Sequence, residues 1–125
     1  MEGDKIKDFT DLEVWKCGHE FVIEIYKVTQ TFPRQEIYGI ISQLRRSAAS
    51  ITSNIAEGFS RFSYKDKARF YYIARGSVSE SQNHLLISRD VGYLDQVSVS
   101  RLLSKADQIR RILNGLIRST ESRVE

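Results

Sequence analysis

The sequence predicts an all-α fold, specifically an antiparallel up-down-up-down four-helix bundle. Apolar residues recur at spacings of three and four in four separate segments. Pro33, Gly58 and Gly92 fall between these segments, at positions where helices commonly end. The β-branched residues follow the helical spacing and do not alternate as they would in strands. Because the connections are short, consecutive helices must run antiparallel.

The first predicted helix opens at Thr10, which forms a capping-box pattern with Glu13. We expect it to end before Pro33, because the residue that precedes a proline rarely stays helical. Its apolar stripe is predicted to comprise Leu12, Trp15, His19, Val22 and Tyr26.

The second helix is predicted over residues 37–57, with Gly58 as its natural end. Small side chains, chiefly Ala and Ser between positions 47 and 53, make this helix slim. Such a helix lets another one approach closely, either inside the bundle or from a second subunit. Its stripe is Ile41, Leu44, Ala48, Ile51 and Ile55.

The third helix is predicted to begin at the capping pair Ser63 and Asp66 and to end at Gly92. Its stripe is Phe70, Ala74, Ser77, Ser81 and Leu85, widened by Tyr71 and Val78.

The fourth helix has two candidate first residues, Asp95 and Ser98. Its stripe is Val99, Leu102, Ala106, Ile109, Leu113 and Leu116.

The chain length of 125 residues predicts one domain, with the bundle over residues 9–120. We expect a flexible segment at residues 1–8 and a tail at residues 121–125. No apolar run is long enough to span a membrane, and the N-terminus is too polar for a secretory signal. A single cysteine, Cys17, is compatible with a reducing compartment, so we expect a cytoplasmic protein.

Charge is distributed unevenly along the chain. Residues 1–36 hold 5 Lys and Arg against 8 Asp and Glu, a net charge of −3, whereas residues 37–125 hold 14 against 8, a net charge of +6. A basic region beside an acidic one suits binding of a polyanion, or pairing between acidic and basic helix faces. Composition leaves both alternatives open.

The segment from Arg61 to Arg75 interleaves basic and aromatic residues, a composition typical of grooves that bind single-stranded nucleic acid. Phe70 and Tyr71 belong to the predicted core, which leaves Phe62, Tyr64 and Tyr72 as the candidates for base stacking. The candidate nucleic-acid-binding residues are Arg46, Arg61, Lys65, Lys67 and Arg69.

A second set of polar residues predicts structural polar contacts, with a network at the end of the bundle around Asn54 and Glu57. Arg45 lies beside the second stripe and is expected to pair with Glu20 or Glu24 of a neighbouring helix. Glu57 faces the negative end of its helix dipole, so it needs a cation, either Arg61 or Arg75. The candidate network residues are Arg45, Asn54, Glu57 and Arg75.

Catalytic and metal-binding patterns are weak. His19 and His84 are far apart, and Cys17 lies off the face of His19, so four tetrahedral zinc ligands do not assemble. No glycine-rich phosphate loop follows a strand. The sequence therefore predicts a protein that is not an enzyme and that has no metal, cofactor or small-molecule substrate.

Several short stretches match one known family in order and spacing. They are DLEVWK (11–16), IYKVTQTFPRQEIYG (25–39), QLRRSAASI (43–51), SNIAEG (53–58), IARGS (73–77) and GYL (92–94). With these the chain resembles the four-helix-bundle proteins encoded by intervening sequences inside bacterial 23S ribosomal RNA genes. The same superfamily includes the accessory variability proteins of diversity-generating retroelements. Two positions depart from the pattern: Thr52 replaces a usual proline and Ser81 a usual leucine.

The resemblance implies an up-down bundle that assembles into a ring-like homopentamer. In the retroelement relatives the basic surface of the ring binds a reverse transcriptase and nucleic acid. Two functions of different classes follow as hypotheses. One is a non-catalytic RNA-binding accessory ring, and the other is a protein-interaction scaffold whose basic residues serve subunit or partner contacts.

Overall fold

The chain folds into the predicted antiparallel four-helix bundle. The computed structural model describes residues 6–125 and contains the helices α1 (Glu13–Thr29), α2 (Ile40–Ser60), α3 (Tyr64–Asp90) and α4 (Gln96–Glu121). Each helix packs against the next, and α1 also packs against α4, which closes the bundle. Most of the predicted flexible segment, residues 1–5, lies outside the described residues.

The predicted boundaries of α3 and of the start of α4 are confirmed. The hydroxyl of Ser63 accepts a hydrogen bond of 3.1 Å from the backbone N–H of Asp66 at the start of α3. Asp95, and not Ser98, caps α4, and its carboxylate accepts a hydrogen bond of 2.7 Å from the N–H of Ser98. Beyond α3, Gly92 takes the left-handed conformation with φ of 88°, as expected for a helix-ending glycine.

The predicted start of α1 is wrong. The carboxylate of Asp11, and not the side chain of Thr10, accepts the capping bonds, from the N–H groups of Lys7 (2.9 Å) and Asp8 (3.1 Å). These bonds close a short 3-10 turn, Phe9–Asp11, that precedes the helix. Helix α1 then begins at Glu13 without a side-chain cap.

The predicted apolar stripe of α1 is displaced by one residue. The side of the helix that faces the core carries Val14, Gly18, Phe21 and Ile25, while His19 and Tyr26 are exposed. Gly18 explains the rotation, because a Cβ at this position would lie 2.9 Å from Cγ2 of Thr52 in α2. The close approach of α2 therefore requires that the glycine side of α1 faces inward.

The other three stripes are largely as predicted. All five residues of the α2 stripe are buried. In α3 the buried ring is that of Tyr71, whereas Phe70 is half-buried. In α4 the last buried apolar residue is Ile117, one position after the predicted Leu116.

Helix α2 does not end at Gly58, contrary to prediction, but continues to Ser60. Gly58 is buried within the helix, where its missing side chain makes room for the Tyr71 ring. Farther along the same contact, Ser81 donates a buried hydrogen bond of 2.9 Å to the hydroxyl of Ser47. Small and hydroxylated side chains thus bring α2 and α3 close together.

Candidate nucleic-acid interface

One face of the bundle, formed by α2 and the adjoining side of α3, carries the five predicted nucleic-acid-binding residues. We call it the α2–α3 face and define it by its charged side chains. These are Arg46, Glu57, Arg61, Lys65, Asp66, Lys67, Arg69 and Glu80.

Arg46 bridges the two helices at the middle of the α2–α3 face. Its Nη2 donates to the carboxylate of Glu80 on α3 and, at 2.9 Å, to Oε1 of Gln43. The ring of His84, one turn beyond Glu80, places Nε2 at 3.3 Å from the same carboxylate oxygen. Burial raises the pKa of Glu80, but the hydrogen bonds and charges of Arg46 and His84 outweigh this effect and lower it overall.

Arg61 and Arg69 flank one aromatic ring near the turn between α2 and α3. The Arg61 guanidinium carbon lies 4.6 Å from the centre of the Phe70 ring, and that of Arg69 lies 4.5 Å from it. Arg61 also pairs with Glu57 at 2.8 Å, and Arg69 pairs with Asp66 at 3.8 Å. The Phe70 ring therefore contacts two guanidinium groups at the surface.

The two lysines of the α2–α3 face behave differently. Lys67 donates to the backbone carbonyl of Phe59 at 2.7 Å, and its positive charge thereby neutralises the carbonyl end of α2. Lys65 is exposed in the first turn of α3. Lys67 is thus already used within the fold, whereas Lys65 is displayed.

The α2–α3 face retains a positive surplus after this pairing. Its eight charged side chains are five basic groups and three carboxylates, a net charge of +2, and the carboxylates of Glu121 and Glu125 adjoin Lys65 and Arg69 at the end of α4. The three arginine side chains stay accessible, with exposed fractions of 55% for Arg46, 41% for Arg61 and 58% for Arg69. Glu80 follows Arg69 by eleven residues, close to three helical turns, so both lie on one side of α3. The Arg46–Glu80 pair and the Arg61–Arg69 pair are therefore about 16 Å apart along the helix axis.

Arg45 does not pair with Glu20 or Glu24, contrary to expectation. Its Nε donates at 2.9 Å to the hydroxyl of Thr29, and its guanidinium carbon lies 4.5 Å from the centre of the Tyr26 ring. The two carboxylates lie on the opposite side of α1. There Glu24 pairs with Arg101 at 3.1 Å and Glu20 pairs with Lys105 at 3.0 Å, both on α4.

The predicted structural residues are dispersed and do not form one network. Asn54 donates at 2.8 Å to the carbonyl of Ser50, within α2. Arg75 donates at 3.0 Å to Oδ1 of Asn114 on α4. Glu57 obtains its cation from Arg61, one of the two expected donors. Sequence reasoning missed Glu80, although its i,i+4 spacing to His84 was a signal of a polar cluster.

The aromatic side chains of this region divide as the sequence indicates except for Phe70, which was predicted in the core and is half-buried. Tyr71 is buried, and desolvation raises its pKa to about 12. Tyr64 and Tyr72 are exposed, and Phe62 is fully exposed in the connection between α2 and α3. Phe62 and Tyr64 are therefore accessible to solvent beside basic residues.

Among residues 6–125, no cluster of three or more His, Cys, Asp or Glu is arranged to hold a metal ion. Burial, helped by Glu13 and Glu20, raises the pKa of the Cys17 thiol, which keeps it protonated and weakly nucleophilic. Within the same residues, no helix combines the length and the apolarity needed to cross a bilayer.

Comparison with known proteins adds family and fold. A family model described as 23S rRNA-intervening sequence protein matches residues 10–115. A solved structure of a protein with unknown function from the S23 ribosomal protein family of Bacteroides thetaiotaomicron VPI-5482 has the same fold, with a TM-score of 0.75 at 23% sequence identity. The match covers 83% of this chain and 97% of that one. No curated protein matches the chain.

Proposed function

The chain belongs to the 23S rRNA-intervening sequence protein family, small helical proteins with no established catalytic activity, and we propose that it is a non-catalytic, homo-oligomeric RNA-binding accessory protein. The observation that carries this proposal is the surplus of two positive charges on the α2–α3 face, with three accessible arginines. A polyanion is the class of partner that such a surface attracts.

The ion pairs of this face do not block binding to RNA. Exposed pairs such as Arg61 with Glu57 contribute only about 0–1 kcal/mol, because water screens both partners. A guanidinium group binds a phosphate through two parallel hydrogen bonds, which are stronger than a single exposed contact. Phosphates can therefore compete with Glu57, Asp66 and Glu80 for the arginines, while the carboxylates hold these side chains in position.

Assembly would multiply the effect of the face. The outer side of α2 carries, before and after Arg46, small side chains that permit close approach by a second subunit at the edge of the α2–α3 face. These are Ser42, Ala49, Ser53, Ala56 and Ser60. In the pentamer that the family resemblance implies, five faces of net charge +2 would give a total of +10. Repeated weak patches that act on one polyanion gain affinity through effective concentration.

The test is charge reversal on the α2–α3 face. The Arg46→Glu, Lys65→Glu variant should lose RNA binding and its salt dependence, yet retain the oligomeric mass. Wild-type affinity should fall by about 0.7 log units per tenfold increase in salt for each phosphate contact on single-stranded RNA. The matched control is Arg111→Glu, Arg118→Glu, which changes the net charge equally on exposed positions of α4 and should bind as wild type does.

Two results would contradict the proposal. One is the absence of salt-dependent binding by the wild type to single-stranded or structured RNA at micromolar concentration. The other is an equal loss of affinity in the α4 control, because that would indicate a general dependence on net charge and not a defined interface.

A second candidate function is the protein-interaction scaffold, and the exposed apolar side chains near the α1–α2 connection favour it. Tyr38 is 94% exposed beside Ile37 and Tyr26, and a groove of about 390 Å³ that adjoins the α2–α3 face at Arg46 lies between them. A protein partner, such as the reverse transcriptase that the retroelement relatives bind, would cover these side chains. On this function Tyr38→Ala should abolish partner binding, while charge reversal on the α2–α3 face should either disrupt assembly or have no effect.

A further inference from the structure

Phe62 is fully exposed in the connection between α2 and α3. The residues on either side, Arg61 and Ser63, have extended backbones with ψ of 151° and 147°. The connection is therefore short and stretched, and it holds the Phe62 ring away from the bundle. An apolar ring that the fold leaves fully exposed contributes nothing to the core and is available to a partner.

A groove of about 620 Å³ lies directly beside this ring, a size suited to a nucleotide. The exposed ring of Tyr64 forms one wall, and the guanidinium carbon of Arg123 lies 5.7 Å from its centre. Arg123 also donates a long hydrogen bond of 3.4 Å to the Tyr64 hydroxyl. The charged lining residues are Lys65, Arg123 and Glu125, a surplus of one positive charge.

We propose that this groove binds unpaired nucleotides of RNA, with a base stacked on Phe62 and the neighbouring phosphates at Lys65 and Arg123. The inference rests on the proposed RNA-binding function and names the kind of RNA that the protein recognises. Every base presents a flat π face, so stacking on an exposed ring is independent of sequence. The cations that border the ring supply the attraction for the backbone.

Stacking distinguishes unpaired RNA from a duplex. In a duplex each base is already stacked between its neighbours, and the deep, narrow major groove of A-form RNA excludes a side-chain ring. The basic residues would bind phosphates of either form. We therefore infer that Phe62 provides a preference for single strands, while the α2–α3 face provides affinity for both forms.

The groove and the α2–α3 face are continuous. Lys65 belongs to both, and Arg61, which immediately precedes Phe62, contacts the Phe70 ring that Arg69 also contacts. A strand anchored at Phe62 can thus extend over the paired arginines without leaving basic surface. Charge complementarity along this path favours RNA over an apolar protein segment as the occupant.

The experiment compares two probes: an RNA of about 12 adenine and cytosine nucleotides, which cannot pair with itself, and a perfect duplex of the same length. Phe62→Ala should lower affinity for the single strand by about 5- to 100-fold and leave the duplex affinity and the salt slope unchanged. Phe62→Trp should bind the single strand as the wild type does, and the single strand should quench the fluorescence of the introduced tryptophan. Phe62→Leu, which keeps an apolar side chain without a π face, should behave like Phe62→Ala.

The outcomes separate this inference from the proposed function. Wild-type binding to both probes that is unchanged in Phe62→Ala overturns the stacking site but leaves the RNA-binding function standing. Binding of neither probe by the wild type overturns both. A fall in oligomeric mass in Phe62→Ala, with Phe62→Leu behaving as wild type, would identify a second copy of the chain as the occupant and would overturn the inference.

Discussion

Gly58 of α2 lies so close to Tyr71 of α3 that a Cβ at position 58 would be 2.6 Å from Cε1 of the ring and 3.2 Å from the backbone carbonyl oxygen of Lys67. Neither neighbour can yield easily, since Tyr71 is buried and the carbonyl belongs to α3 itself. The contact fixes the spacing of the two helices immediately before the turn that carries Arg61 and Phe62. The absence of a side chain at position 58 is therefore a condition for the geometry of the candidate interface.

Gly58→Ala should destabilise the protein, although alanine is the better helix former. The clash should cost about 1–3 kcal/mol, more than the gain of roughly 1 kcal/mol in helix propensity. Thermal and urea unfolding measure the difference. The control is Gly76→Ala in α3, where a Cβ meets no atom within 4 Å, and here the melting temperature should rise. Equal responses of the two variants would show that the Tyr71 contact is not a constraint.

Glu57→Ala should change stability by less than about 0.5 kcal/mol. The sequence alone suggested a structural polar network around Glu57, but the Glu57 side chain is 47% exposed and its partner Arg61 is also accessible. Removal of a carboxylate from the last turn of α2 also relieves an unfavourable interaction with the helix dipole. Urea unfolding tests this expectation, and a loss above about 1 kcal/mol would indicate that the pair is part of a tighter network.

Stability should fall in acid partly through Glu80. Its folded-state pKa lies below the ordinary value of 4.5, so its ionised form contributes stability that is complete above that value and is lost as the pH falls through the folded-state pKa. Glu80→Gln lacks this contribution. The melting temperature of the variant should therefore decrease less than that of the wild type between pH 7 and about pH 3.

Glu125→Gln is the control for this measurement, because it removes one exposed carboxylate that is not part of the Arg46–Glu80–His84 cluster. It should follow the wild-type pH profile. Parallel profiles for wild type and Glu80→Gln would mean that the Arg46–Glu80–His84 cluster makes no acid-sensitive contribution.

Most of the fold could be predicted from the sequence, because helix ends and stripes are local properties. Ser63 and Asp95 cap their helices with their own side chains, and Gly92 terminates α3 through its own backbone. The inward-facing side of α1 was predicted wrongly, because α1 carries two adjacent apolar stripes, one through Phe21 and one through Trp15. Periodicity cannot decide which of two such stripes faces inward, since the contact of Gly18 with α2 makes that choice.

The candidate site was less predictable, because the partners of its arginines depend on how neighbouring helices align. The sequence identified Arg46 as an exposed cation, but nothing local indicated that Glu80, 34 residues later, lies opposite it. The pair of Glu57 with Arg61 was among those expected, since both residues lie within one helical turn. Pairs inside one helix follow from spacing, whereas pairs between helices require the packing.

Assembly should depend on the small side chains on the outer side of α2. Light scattering coupled to gel filtration should give a mass near five times 14.4 kDa for the wild type. Ala49→Arg should reduce this mass, because a long charged side chain would prevent close approach of a second subunit. Ser104→Arg, a similar change at an exposed position of α4, should leave the mass unchanged. A wild type that is monomeric at micromolar concentration would exclude the ring.

Arg45 and Arg46 are adjacent in sequence, yet their replacement should have different effects. Arg45 donates to Thr29, which is 1% exposed, and to the carbonyl of Tyr26 in the last turn of α1, where a positive charge also stabilises the helix dipole. Arg45→Ala should therefore cost about 1–2 kcal/mol of folding stability, and Arg45→Glu should cost more, because it places a negative charge at the carbonyl end of α1.

Arg46→Glu should change stability by less than about 1 kcal/mol, since the Glu80 pair is exposed, while it weakens RNA binding. Urea unfolding and RNA titration on the same two variants separate these roles, and a larger loss of stability in Arg46→Glu than in Arg45→Glu would reverse the assignment.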